Sequence, residues 1–453
     1  MPKPKRPVLT KRSLKTSRLI ACLSVLTLLP VAPLAAKQLK PTDYAINVTA
    51  DRAEPFYHKG ETVTFTIGLT CKGEPVKDAR VKWKISKDGL EPPLQEGVGT
   101  PGSGSFTVSG KLDEPGFLQC RADVSIPGES ISTGRASAAI DQTEIKPSLP
   151  PPDDFDAYWA GEKKKLAAVP LNLKLTPVKS PVAGVEVFDV QADSIGKPMS
   201  GYLARPAGAA ARSLPAMVLC HGAGVASSRL SIAADWAKEG FLALDFNAHG
   251  LPNGQPAEFY ASLYKGELEK YYLKNPESRD TIFFLGLFTR LMRAVDVLTS
   301  QPEWDGKILV ANGRSQGGGQ SIAAAGLDPR VTFFAAQIPA MCDHTGVMAG
   351  RINGWPKLVP MTDGKPDEKS LQAARYFDGV NFAAHTKAGA FFTVGFIDVS
   401  CPPSSVYAAY NAISGKKDIA NYFHSGHTPT PEADAAVKAA ILDCLKAAKA
   451  GGS

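Results

Sequence analysis

The sequence predicts an all-β sandwich followed by a larger α/β domain built on a mostly parallel sheet. Three observations carry this. Strand-turn-strand patterning with no helical period runs from about residue 44 to 140. Beyond a proline cluster at residues 147–152, short strands apolar on both faces alternate with helical patterns, as in a parallel sheet covered on both sides. Finally, one serine sits among glycines where an apolar strand hands over to an Ala-rich helix.

The chain has 453 residues and 44% hydrophobic content, enough for two or three domains with an ordinary core. The formal charge of +7 does not point to nucleic acid. Lys3, Lys5, Arg6, Lys11, Arg12, Lys15 and Arg18 account for all of it, residues 1–36 hold no acid, and no net charge remains from Lys37 onward. Those first residues read as a secretory signal: a basic stretch, then "LIACLSVLTLLPVAPLAA", ending in small residues at Ala35 and Ala36. Pro30 and Pro33 interrupt the apolar run, which is too short and kinked for a membrane span, so no stable membrane insertion is expected after cleavage; an uncleaved anchor is the alternative. "LIAC" mimics a lipoprotein box but lacks an apolar stretch before it. A secreted or periplasmic protein follows, in a compartment where disulfides persist.

Residues 37–145 read as a β-sandwich. "TVTFTIGLTC", "ARVKWKISKDG", "GSFTVSGKLDEPG" and "GFLQCRADVSI" each alternate and stop at turn residues. Cys71, Trp83 and Cys120 follow the order of an immunoglobulin-type core, with Leu118 where such domains carry a tyrosine. A Cys71–Cys120 disulfide is expected; closing about fifty residues, it would contribute roughly 3–4 kcal/mol. The proline cluster reads as a semi-rigid linker into residues 146–453.

In that second part the expected strands are "VEVFDVQ", "SGYLARP", "AMVLCHG", "FLALDF", "KILVAN", "VTFFAAQ", "AFFTVGF" and "IANYF". Helical spacing appears in "SRLSIAADWAKEG", "TIFFLGLFTRLMRAVDVLTS", "GQSIAAAGL" and "SSVYAAYNAIS". Two antiparallel-type strands feeding a parallel sheet make this an α/β-hydrolase pattern. Gly313-Arg314-Ser315-Gln316-Gly317 matches G-x-S-x-G after the "KILVAN" strand, the context of a nucleophile elbow. There the serine takes a strained backbone, and side chains two positions either side would collide.

Chain order in this fold runs serine, acid, histidine. His344, His385, His424 and His427 remain as bases. His427, in "HSGHTPT", lies a few residues past the last strand and is preferred over His424, which abuts it. Asp398, just beyond "FFTVGF", is the acid; Asp343 is its rival. The oxyanion donors are the N–H of Gln316 and that of Ala223, in the loop after "AMVLCHGAG". His221 is given a loop-shaping hydrogen bond. The stretch 251–280, with Tyr260, Tyr264, Tyr271 and Tyr272, is a rim or lid for sugar rings, or equally an amphipathic helix packing those rings on the core. Residues 350–379 show no clear period and take no role.

"GRSQGGGQSIAAAGLDPRV", "IPAMCDH", "GFIDVSCPPSSVYAAYNAISGKKDI", "GHT" and "DDFDAYWAGEKKKL" together resemble the acetyl xylan esterase / cephalosporin C deacetylase family, over roughly residues 150–448. The resemblance implies Ser315 as nucleophile, Asp398 as acid, His427 as base, and removal of acetyl groups from sugar hydroxyls. Two departures lie outside those three residues: Ala248-His249-Gly250 stands where the family carries Arg-Gly-Gln, and Thr428 follows His427 where it carries glutamate. The family also implies a ring-shaped oligomer. The substrate expected is a small-molecule or oligosaccharide acetyl ester, with no metal and no organic cofactor. A general carboxylesterase, a peptidase of the same fold and a non-catalytic glycan- or partner-binding protein are the competing readings.

Overall fold

The computed structural model describes residues 43–125 and 131–450; the signal-type segment lies outside them. Strands are numbered in chain order. The N-terminal part comprises β1 (Tyr44–Ala50), β2 (Phe56–Tyr57), β3 (Val63–Cys71), β4 (Glu74–Pro75), β5 (Val81–Lys87), β6 (Gln95–Gly99), β7 (Ser105–Gly110), β8 (Gly116–Ser125) and β9 (Ile131–Ile140). One sheet joins β1, β3, β4 and β7; the other has the order β2-β9-β8-β5-β6. Alternation decides what faces inward. Val63, Phe65, Ile67 and Leu69 of β3 meet Leu118, Cys120, Ala122 and Val124 of β8 in one apolar layer.

The expected Cys71–Cys120 bridge does not form: both thiols are free. Cys120 lies in that layer, paired in register with Ile85. Cys71 is the last residue of β3, paired with Glu74 at the turn into β4, and lies outside the layer. The chain order suits a bridge; the register does not.

The larger sheet comprises β10 (Lys174–Val178), β11 (Val185–Ala192), β12 (Met199–Pro206), β13 (Leu214–Cys220), β14 (Leu242–Phe246), β15 (Trp304–Arg314), β16 (Phe333–Gln337), β19 (Gly389–Gly395) and β20 (Lys417–Tyr422), with β17 (Met361–Thr362) and β18 (Lys365–Pro366) forming a separate hairpin. Its order is β10-β11-β12-β14-β13-β15-β16-β19-β20. The first three pairings are antiparallel and the remainder parallel. The helices are α1 (Phe155–Ala167), α2 (Leu230–Lys238), α3 (Ala257–Lys265), α4 (Phe283–Ser300), α5 (Gln316–Leu327), α6 (Glu368–Ala374), α7 (Gly379–His385), α8 (Pro403–Ala412) and α9 (Pro431–Ala450). Both faces of the sheet are covered. Ala216 and Val218 of β13 join the core beneath α4 and α5, while Met217 and Leu219 face Val437 and Ile441 of α9. That is why these strands read as continuous apolar runs. Within this sheet the strand not foreseen is β10. It is half-exposed and carries Pro177, which an edge strand tolerates.

The proline cluster is bonded down along its length. Lys146 O accepts from Arg351, Ser148 donates to Asp343 through both its N–H and Oγ, and Arg375 reaches Pro150 O and Pro151 O. The sandwich itself touches the larger core. Phe117 of β8 and Ala139 of β9 turn away from their own layer and belong to the α/β core. Beside them Lys87 donates to Ala349 O, and Asp88 is fully buried near Ser404 of α8, Arg351 and Lys87.

Burial pushes the Asp88 carboxyl up to about 6 from its ordinary 3.8. Between those values the folded chain holds a proton that the unfolded chain has lost, so stability falls as pH rises through that window. Asp88→Asn has no charge to bury, and asparagine tolerates the left-handed backbone at this position, φ 55°. The stability gap in favour of the variant should widen by on the order of 2–3 kcal/mol between pH 4 and pH 8. Denaturant melts of both proteins across that range measure it.

Candidate active site

The elbow is built from backbone first. Ser315 stands between β15 and α5 with φ 56° and ψ −121°, a region that costs a non-glycine residue on the order of 1–3 kcal/mol. Its neighbours hold it there. Its N–H donates to Gln337 O at 2.9 Å, and its carbonyl accepts from Ala340 N at 2.9 Å and Gly319 N at 3.1 Å. The flanking glycines are obligatory on distance alone. A Cβ at Gly313 would lie 2.4 Å from Gly317 O and 2.6 Å from Cys220 O; one at Gly317 would lie 2.1 Å from Cys220 O.

The imidazole arrives from the loop after β20. His427 Nε2 is 2.9 Å from Ser315 Oγ, and its Nδ1 is 2.7 Å from Asp398 Oδ2. An ionised carboxylate only accepts, so Nδ1 carries the proton and Nε2 is free to accept from the serine hydroxyl. Asp398 is buried, and its Oδ1 accepts from the N–H groups of Ser400 and Cys401 at 2.8 and 2.9 Å. Both oxygens of this buried carboxylate are thus bonded, as burial demands.

None of the rivals is bonded to Ser315. His424 is exposed. His344 is buried, and burial depresses its pKa to about 3. His385 Nδ1 lies 2.6 Å from Asn381 O, within its own helix. Asp343 grips Arg351 through two nitrogens, at 3.0 and 2.6 Å. Cys401 Sγ lies within 4.8 Å of the polar atoms of Asp398 and His427, a cluster with the residue types of a metal site. Burial raises that thiol well above its ordinary value, so it offers no ready thiolate. The other two groups are bonded to each other.

Residues 140–442 match the acetyl xylan esterase family model. The chain belongs to the acetyl xylan esterase family. It is 29% identical over 384 residues to the acetyl esterase Axe7A of Xylanibacter ruminicola, covering 83% of this chain and 85% of that protein. Its fold is similar to the acetyl xylan esterase from Paenibacillus sp. R4 (26% identity, TM-score 0.58, 67% of this chain and 98% of that one). It is also similar to acetyl xylan esterase 1 from Thermoanaerobacterium sp. JW/SL YS485 (25% identity, TM-score 0.57, 66% and 96%). The protein is accordingly a carboxylic ester hydrolase of the α/β-hydrolase fold, acting on acetyl esters.

Near Ser315 of this esterase, the two residues expected as anion donors come from different elements. Gln316 opens α5, where a first-turn N–H has no intrahelical acceptor. Ala223 lies exposed in the loop after β13, and among the described residues no acceptor takes its N–H. His221 spans this loop and the next: its Nδ1 is 2.7 Å from Gly222 O, and its Nε2 accepts from Ala248 N at 3.0 Å. His249, in the divergent Ala-His-Gly stretch, holds Gly224 O through Nε2 at 2.8 Å. An open cleft of about 540 Å³ reaches Ser315 between α2 and α9, bordered by Gly222, Arg229, Trp236 and Arg314; neither Asp398 nor His427 lines it.

Sequence reasoning missed the part played by Tyr271. Of the four tyrosines in the 251–280 stretch, Tyr271 and Tyr260 are buried in a small apolar cluster, whereas Tyr264 is exposed. The Tyr271 hydroxyl donates to Gln316 Oε1 at 2.7 Å and accepts from Gly224 N at 3.1 Å. One oxygen therefore ties the start of α5 to the loop of Ala223. No spacing rule marks this residue, because its partners lie 45 and 47 positions away. Tyr271→Phe deletes only the bridge. It should lower kcat roughly tenfold with KM little changed, less than the 10²–10³ lost with an oxyanion donor itself, as steady-state kinetics on an acetyl ester will show.

Proposed function

We propose that this esterase removes acetyl groups from sugar hydroxyls by a two-step Ser-His-Asp mechanism. The observation that carries the reading is the unbroken line from Ser315 Oγ through His427 to Asp398, with contacts of 2.9 and 2.7 Å. Ser315 attacks the ester carbonyl as His427 Nε2 takes its proton. The carbonyl oxygen gains negative charge and is received by the N–H groups of Gln316 and Ala223, aided by the N-terminal end of α5. Asp398 steadies the imidazolium. His427 then gives the proton to the departing sugar oxygen, leaving acetyl-Ser315. Water enters, His427 removes its proton, and acetate leaves as the proton returns to Ser315.

Family membership supports the acetyl preference, and the name of the relative Axe7A agrees with it. Export rests on the sequence alone: the basic start, the apolar run and the small residues at Ala35 and Ala36. Among the described residues no helix is long and apolar enough to cross a membrane. We also read residues 37–145 as an immunoglobulin-like β-sandwich domain, on the Cys-Trp-Cys order and on two sheets sharing one apolar layer.

Nitrophenyl esters of increasing acyl length, together with acetylated xylo-oligosaccharides, test the substrate. Acetyl should be turned over fastest, and the oligosaccharides should release acetate. A flat or long-chain profile would make this a general carboxylesterase. Ser315→Ala should lose on the order of 10⁴–10⁶ in turnover and all labelling by a fluorophosphonate.

A further inference from the structure

The acid and the base of the active site come from two loops, and both loops begin at a phenylalanine. Phe396 follows β19 two residues before Asp398; Phe423 follows β20 four residues before His427. The two rings meet edge to face at 4.9 Å. The loops are also stitched by backbone: Phe396 N donates to Tyr422 O, and Ile397 N to Ser425 O, both at 3.1 Å. A Cβ at Gly395 would lie 2.5 Å from Ser425 O, so no slack remains between the two roots.

The other rings on this pair come from the N-terminal sandwich. Phe56 of β2 lies edge to face on Phe396 at 5.9 Å and on Phe423 at 5.6 Å. Phe117 of β8 lies edge to face on Phe396 at 5.1 Å and contacts Tyr407 of α8 at 5.7 Å. Tyr407 in turn donates to Asn421 Oδ1 of β20. The helix that follows the Asp398 loop is held a second time, by Asn411 Nδ2 donating to Gln142 O and Ile145 O at the end of the sandwich. Edge-to-face packing is directional, so it sets the angle of a ring as well as its depth.

We propose that the N-terminal sandwich is a working part of the active site: Phe56 and Phe117 are positioning residues that hold the roots of the Asp398 and His427 loops, and so set the registry of acid, base and nucleophile. This rests on the Ser-His-Asp reading above. It adds a consequence that reading lacks. Proton transfer from Ser315 depends on a 2.9 Å contact, and displacements near 1 Å cost on the order of 10²-fold in rate. Loss of the wedge therefore acts on kcat more than on KM.

The test compares full-length Phe56→Ala, Phe117→Ala and Phe56→Leu with Lys87→Ala. The last weakens the same interface at the Lys87 contact to Ala349 O, which involves neither Phe396 nor Phe423. Melting temperature, kcat, KM and the rate of fluorophosphonate labelling are measured for each, at a temperature where all are folded. The alanine variants should lose ten- to hundredfold in kcat and in labelling rate with KM within about threefold. Phe56→Leu should recover most of that, and Lys87→Ala should lower the melting temperature with kcat within twofold. Phe56 is the less buried of the two rings, so Phe56→Ala carries the test if Phe117→Ala does not fold. Alanine variants that melt lower yet keep wild-type kcat overturn the inference, as does Lys87→Ala losing equal kcat. Wild-type protein that takes no label at Ser315 overturns the mechanism itself, a separate result.

Discussion

Ser315 keeps a positive φ because the chain around it leaves no other conformation open. The carbonyl of Cys220 comes so close to the positions of Gly313 and Gly317 that any side chain there would collide, and three backbone hydrogen bonds fasten the serine in place. This one turn determines what the rest of the molecule must do. It places the start of α5 against the end of β13, so the first N–H of the helix and the loop after β13 approach one region of space. It also lifts the hydroxyl beyond the ends of the parallel strands, where only loops can reach it. Asp398 and His427 therefore reach it from loops, which are mobile by default. The remaining architecture serves to stiffen them.

Three kinds of stiffening are visible. Asp398 is fixed by polar means: two N–H groups on one oxygen, an imidazole on the other, and a buried site that would penalise any lost partner. The loop roots are fixed by apolar means, through rings whose edges and faces interlock. The anion-receiving side follows a third pattern. There the Tyr271 hydroxyl and the His221 and His249 rings bond to backbone groups of facing loops, so that short glycine-bearing segments hold their shape without bulk near the nucleophile. His249 shows that the departure from the family's Arg-Gly-Gln need not leave this loop unsupported.

Much of this was legible from the chain. The elbow, the strand order feeding it, and the loop positions of Asp398 and His427 follow from local patterns: apolar runs, glycine placement, and a histidine shortly past the last strand. What escaped depends on register and on distant partners. The strand β10 was hidden by exposure and by Pro177; the helix α6, seven residues long, is too short to display a period. Cys71 and Cys120 have the order of a bridged pair, but order does not reveal that Cys71 lies at the extreme end of its strand. Tyr271 was noticed only as one of several tyrosines. Its hydroxyl acquires meaning from Gln316 and Gly224, and nothing in the linear spacing brings those three together.

The sandwich raises a last question of constraint. Two thirds of this chain accounts for 98% of the Paenibacillus esterase, so the remaining third has no counterpart in that structure. A segment on a flexible tether would leave the surface it meets unchanged. Here the surface is not independent. Phe396 is fully buried, and Phe56 and Phe117 from the sandwich help to bury it; the connecting prolines are bonded to Arg351, Asp343 and Arg375 instead of being left free. Removing the sandwich would expose aromatic surface at the roots of both loops, and an exposed ring there can lower its free energy only by moving. The alignment with Axe7A spans 83% of this chain, more than the family model covers, and so takes in part of the region before residue 140. A sandwich that buries the loop roots is thus coupled to the site by the same apolar contacts that keep it docked, and neither surface can change its residues without altering the other.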